Sequence, residues 1–130
     1  MSKRWGTGTF VIPAPLEVDG LMKRVRKGRL TTIDQLRSSL ARKHNATIAC
    51  PITTGIFAWI AAHAADERQR AGKSRITPYW RTLKTGGEIN PKYPGGVARI
   101  MNLLKAEGHV IVQRGKRFFV VNYEERLAKI

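Results

Sequence analysis

The chain offers one thiol, Cys50, and three imidazoles, His44, His63 and His109. A thiol attacks carbon only as the thiolate, which needs a base or cation beside it. Cys50 lies between Ala49 and Pro51, inside a stretch from 44 to 65 that contains no Lys, Arg, Asp or Glu. It reads as a small buried apolar residue, although the N-terminus of a following helix would lower its pKa. The histidines stand 19 and 46 residues apart, with no close ligand pair, so no metal site is expected. His63 reads as a partly buried, hydrogen-bonded histidine. The 9 carboxylates are scattered along the chain, and their spacing suggests no acid–base pair. Gly6-Thr7-Gly8 falls in the N-terminal arm and Gly86-Gly87 in a turn, so neither reads as a phosphate-cradling loop between a strand and a helix. No cofactor is expected.

What the chain has in abundance is positive charge. With 24 Lys plus Arg against 9 Asp plus Glu, it carries a net +15 over 130 residues. Such a surplus repels itself and is relieved by polyanions, above all by nucleic acid, whose condensed counterions are released on binding. An acidic protein surface is the alternative. Residues 1–43 hold 10 basic and 3 acidic side chains, and 66–99 hold 8 and 3, so the charge-free segment is flanked by cations. The length suits one domain, and 42% hydrophobic with 25% charged residues excludes a disordered basic tail. No apolar run nears the roughly 20 residues of a membrane span. The start Met-Ser-Lys-Arg-Trp-Gly lacks a signal core. One cysteine makes no disulfide framework. A cytoplasmic protein is expected, nucleoid-associated if bacterial.

The elements that would position these groups follow from apolar spacing. Residues 1–9 are polar and Gly-rich and read as a flexible arm, leaving 10–130 as the folded domain. Leu16 to Lys27 has Val18, Leu21, Met22 and Val25 at helical spacing, opened by Pro15 and closed by Gly28. Its last turn gathers Lys23, Arg24, Arg26 and Lys27, which either complement the helix dipole or meet a phosphate backbone. Thr32 to His44 predicts a second helix, with Thr32 as N-cap and Gln35 closing a capping box. Ile33, Leu36 and Leu40 form its buried stripe, leaving Arg37, Arg42 and Lys43 outside. A third helix runs from Gly55 to about Arg68, capped by Thr53 or Thr54. Ile56, Trp59, Ile60 and His63 line one face and Phe57, Ala61 and Ala64 another, and a helix apolar nearly all round is core. The second and third helices form a helix-turn-helix candidate.

Ile76 to Leu83 reads as extended, followed by a turn at 84–87 and a loop at 88–96. A fourth helix spans Val97 to Glu107, stopped by Gly108. Val110–Val112 and Arg117–Val121 then flank Gln113-Arg114-Gly115-Lys116 as a β-hairpin with a basic tip. The fold class is α+β, a single winged-helix-like domain.

Several of these segments, in order, resemble one family. Ile76-Thr77-Pro78-Tyr79-Trp80-Arg81-Thr82-Leu83, then Gly86-Gly87, Gly95-Gly96 and Leu103-Leu104-Lys105-Ala106-Glu107-Gly108-His109, resemble the DNA-binding domain of alkylguanine-DNA alkyltransferases. Gly28-Arg29-Leu30-Thr31-Thr32-Ile33-Asp34-Gln35-Leu36 is similar to that family's Gly-x-Val-Thr-Thr-Tyr segment, and the likeness covers about residues 16–123. It sets the acceptor cysteine at Tyr79, the relay histidine at Trp80, the motif arginine at Arg81 and the relay glutamate at Glu107, beside Pro78. A phenol, with a pKa of about 10, supplies little anion at neutral pH. Without the histidine Glu107 has no relay to complete, so alkyl transfer is not expected. Transfer to Cys50 is set aside because that thiol is misplaced relative to these positions.

The resemblance therefore implies an alkyltransferase-like protein, which binds alkylated DNA without repairing it and could recruit another repair pathway. Such proteins usually keep the histidine, a tyrosine where this chain has Ile33, and an arginine where it has Ile52. Base capture is the property these departures touch. Tyr79 and Trp80 either stack on an extruded base or fill the vacated space, with Trp80 donating its indole N–H to Glu107. The resemblance also implies that the third helix enters the minor groove, with Ile52 as an apolar wedge. The expected DNA contacts are Thr32, Arg37, Arg42, Lys43, Ile52, Thr53, Thr54, Gly55, Arg68, Lys73 and Arg75, with Arg81 as a further cation. The expected partners are double-stranded DNA, alkylated or not, and a repair-pathway protein, with the chain as a monomer. The alternative is a winged-helix regulator or chromosome-associated protein without lesion recognition.

Overall fold

Pro13 and Pro15 separate the N-terminal residues from the helical body. The computed structural model describes residues 2–5 and 8–130. The expected arm at 1–9 coincides in part with backbone paired as strands: β1 (Ser2–Trp5) runs antiparallel to β2 (Gly8–Val11). Met1, Gly6 and Thr7 lie outside the described residues. The first helix, α1 (Pro15–Lys23), ends earlier than expected. Glu17 accepts a hydrogen bond from the Ala14 N–H at 2.9 Å, and Val18 and Met22 are fully buried. After a turn at Gly28, Leu30 is buried and β3 (Thr31–Thr32) leads directly into α2 (Ile33–Lys43).

Thr32 is the N-cap of α2, its hydroxyl accepting from the Gln35 N–H at 3.1 Å. Only half of the expected capping box forms. The Gln35 side chain turns to the Ala128 carbonyl at 2.5 Å and accepts from the Thr31 hydroxyl at 2.6 Å. The short β4 (Ile48–Ala49) pairs parallel with β2. α3 (Pro51–Arg70) then starts earlier than expected, because Pro51 fixes a helical φ at the first position and Cys50 becomes the N-cap in place of Thr53 or Thr54.

The burial of α3 is the main departure. Its inward face consists of Thr54, Ala58, Ala61, Ala62, Ala65 and Asp66, while Ile52, Ile56, Trp59 and Ile60 are exposed. Small side chains are buried because they let α3 pack closely against the rest of the domain; of the bulky ones, Phe57 packs partly against the core and the other four are left outside. Residues 76–78 are irregular, and Tyr79–Arg81 forms a single 3-10 turn rather than a strand. β5 (Thr82–Leu83) pairs parallel with β3. Gly87, at φ +86°, packs beneath Tyr123, where a Cβ would collide with the ring.

α4 (Gly96–Ala106) buries Ile100 and Leu104 and stops at Gly108. β6 (Ile111–Arg114) and β7 (Arg117–Val120) make the expected hairpin. Glu88 bridges to Phe119, and Leu30 to Leu127, tying the hairpin and the C-terminal tail onto the helices. Val18, Met22, Leu30, Leu36, Leu40, Tyr79, Leu83, Ile89, Ile100 and Leu104 form one core. The architecture is α+β of winged-helix type, with β6–β7 as the wing. Among the described residues, no helix is long and apolar enough to cross a membrane.

Candidate nucleic-acid interface

Pro78 caps the 3-10 turn that carries Tyr79, Trp80 and Arg81 toward the end of α4. There the Glu107 carboxylate accepts from the Trp80 indole N–H at 2.9 Å, the bond expected if Trp80 fills the vacated space. Arg81 donates to the same carboxylate at 2.8 to 3.1 Å and, through a second arm, to the Val25 carbonyl at 2.8 Å. The Gly28 N–H is also directed at Glu107, at 3.4 Å. Burial pushes the Glu107 carboxyl up, but hydrogen bonds from Arg81 and Trp80 outweigh it and hold the group below its ordinary range. Glu107 is thus an ionised anchor joining α4, the 3-10 turn and the residues after α1. Arg81 is occupied by these bonds and is not a free phosphate contact.

Tyr79 is 0% exposed and stands edge-on to Trp80 and Tyr93, with ring centroids 5.4 and 6.3 Å away. Burial raises its pKa, so the phenol stays protonated. Its hydroxyl has no hydrogen-bond partner among the described residues. In this conformation the ring packs into the core and offers no face to an extruded base.

The expected DNA-contact residues separate into four groups. The Thr32 hydroxyl caps α2, and fully buried Thr54 donates to the Cys50 carbonyl at 2.7 Å, so neither faces a ligand. Arg37 donates to the Ala49 carbonyl at 3.1 Å and pairs with Asp34, Arg42 donates to the Ile130 carbonyl at 3.1 Å, and Lys43 pairs with Glu17 at 2.8 Å. These three fasten α2 to its neighbours while Arg42 and Lys43 stay exposed. Ile52, at 73% exposure, leads α3, with half-buried Thr53 and Gly55 beside it. Arg68, Lys73 and Arg75 are exposed and line one groove of about 400 Å³ with Ser74.

Cys50 is half-buried and accepts a hydrogen bond from the Thr53 hydroxyl at 3.2 Å, which lowers its pKa. The outward face of α3 was missed at sequence level, where it read as core. Trp59 and His63 lie with ring centroids 4.3 Å apart, and the indole N–H donates to the Lys92 carbonyl at 3.1 Å, fixing the two rings at the surface. The signal that would have found this face is Ala58, Ala61, Ala62 and Ala65 at helical spacing, a stripe of small residues competing with the bulky one.

The geometry is that of a helix-turn-helix, α2 and α3, in an α+β domain with a wing, and its leading helix exposes apolar residues between cationic flanks. The fold is similar to the solved structure of S. pombe Atl1 in complex with damaged DNA containing O6-carboxymethylguanine. The TM-score is 0.58 with 17% sequence identity, over 89% of this chain and 94% of that one. No model of a known protein family matches the chain. No curated protein sequence matches it either.

Proposed function

We propose that this chain is a non-enzymatic DNA-binding protein of the alkyltransferase-like type, which engages duplex DNA through α3 and recognises alkylated guanine. The observation that carries it is the exposed, uncharged face of α3, with Ile52 73% and Ile56 51% exposed and cations on neighbouring segments. An apolar helix face without carboxylates can enter a groove and wedge a base step, while the flanking cations neutralise phosphates. The likeness to Atl1, itself solved with damaged DNA, supports the same partner. The absence of alkyl transfer rests on Tyr79, a buried phenol, and on Glu107, committed to Trp80 and Arg81. A protein that performs no chemistry on the lesion must hand it on, so a repair-pathway partner completes the proposal, with the chain acting as a monomer.

A second possibility, duplex binding without lesion recognition, is favoured by one feature: the Tyr79 ring is sealed in the core. The test is titration with a duplex containing O6-carboxymethylguanine and with its unmodified twin, followed by intact-mass measurement of the protein. Tighter binding of the modified duplex with an unchanged mass supports the lesion-binding proposal. Equal affinities move the function to the second possibility, and a mass gain of one alkyl group refutes both.

A further inference from the structure

Ion pairing accounts for part of the surface charge. Lys43 and His44 hold Glu17, Arg37 holds Asp34, Arg70 and Arg99 hold Asp66, and Arg117 holds Glu88. Arg24, Arg26 and Arg29, which follow α1, have no carboxylate partner among the described residues. They line a groove of about 540 Å³ together with Lys23 and, from the C-terminal tail, Lys129. Of these five, Lys23 has a carboxylate partner, Asp19 at 3.1 Å.

Like charges converge here because the backbone holds them together. The Leu30 N–H donates to the Arg126 carbonyl at 2.9 Å, the Ala128 N–H to the Leu30 carbonyl at 2.8 Å, and Gln35 Nε2 to the Ala128 carbonyl. The tail is therefore strapped alongside the residues after α1, and the repulsion between the walls is left for a ligand to relieve. None of the described lining side chains is acidic or aromatic. No aromatic ring there offers a base a stacking platform, while guanidinium forks match phosphate oxygens bidentately.

We infer that this groove is a second anion site that takes a run of phosphates, the chemistry shared by a nucleic-acid backbone and a free linear oligophosphate. It does not rest on the proposal for α3, since none of its residues belongs to that helix. The test uses the full chain, its Arg24→Gln/Arg26→Gln/Arg29→Gln variant, and a control at two exposed lysines remote from both grooves, Lys105→Gln/Lys116→Gln. Linear polyphosphate, a short unmodified duplex and polyglutamate are the probes. A Lys129→Gln variant alters the groove from the tail without touching a helix, in case the triple variant is poorly folded.

We expect the triple variant to lose at least about tenfold in polyphosphate affinity, Lys129→Gln to lose less, and the control to lose little. Each removed phosphate contact lowers the log–log salt slope by about 0.9, so three should lower it by roughly 2.7 in the duplex titration. That shift assigns the groove to a nucleic-acid backbone; polyphosphate loss with an unmoved duplex slope assigns it to free oligophosphate. Unchanged polyphosphate binding in both groove variants, equal losses in variant and control, or competition by polyglutamate as strong as by polyphosphate would overturn the inference. Polyphosphate binding should persist in Ile52→Asp, so a failure of the α3 proposal stays distinguishable.

Discussion

Arg81 and Glu107 have side chains only 13% and 7% exposed, and their bidentate contact is joined by Trp80 and the Val25 carbonyl. Removing the charge from one member leaves the other buried and unpaired, which costs about 3–5 kcal/mol. Glu107→Gln should therefore lose stability on that scale in denaturant titration; a loss below about 1 kcal/mol would mean the pair is effectively solvated. Acid should act through the same kind of group. Burial raises the Glu17 carboxyl, but hydrogen bonds from Lys43, the Ala14 backbone and His44 outweigh it and lower its pKa from 4.5 to about 2. A carboxylate depressed in the folded state contributes fully above its unfolded value and loses that contribution as pH falls. Glu88 and Glu107 shift in the same direction. Stability should thus decline from about pH 4.5 toward pH 2, and Glu17→Gln should flatten that decline in pH-dependent unfolding. The Trp80–Glu107 bond was legible in sequence because the resemblance aligned both positions with an interacting pair. The burial of Tyr79 was not, since an aromatic in a short loop does not reveal which way its ring packs.

Among the elements, α2, α4 and the wing were readable because their apolar spacing and turn residues agree with one another. Gly108 ends α4, and Gly115-Lys116 closes the hairpin. α3 was misread at both its start and its face. Pro51 carried a first-position signal that two threonines obscured, and a helix with apolar residues on every side gives no moment to orient it. Size largely decided burial, with Ala58, Ala61, Ala62 and Ala65 turned inward and Ile52, Ile56, Trp59 and Ile60 outward, while Phe57 packs partly against the core. Gly55 follows from that orientation. A Cβ there would meet nothing within 4 Å, so packing within the chain does not require glycine. Gly55→Ala should raise stability by about 0.5–1 kcal/mol, the usual gain within a helix. Duplex affinity should fall at the same time if the glycine serves close approach to a sugar–phosphate backbone. Thermal unfolding and a binding titration on the same preparation check both; a gain in stability with unchanged affinity would separate Gly55 from the interface.

At the scale of the whole molecule, the +15 charge is distributed so that α2 on one side and the cations from Arg68 to Arg75 on the other flank the charge-free first part of α3, residues 51–65. Composition made this division visible, but it could not show which cations are committed to internal bonds, as Arg81 and Arg37 are. Engagement of about 5 phosphates gives a log–log salt slope near −4.5 in duplex binding, and a slope flatter than about −1 would not fit electrostatic docking. The most direct test of the central claim is duplex affinity of Ile52→Asp against the unsubstituted chain. An aspartate in the first turn of α3 favours the helix dipole, and Ile52 is 73% exposed, so the fold should hold. The account predicts unchanged thermal unfolding with at least a tenfold loss of duplex affinity, because a carboxylate at the leading edge of α3 would meet phosphates. Equal affinity in a folded variant would contradict it.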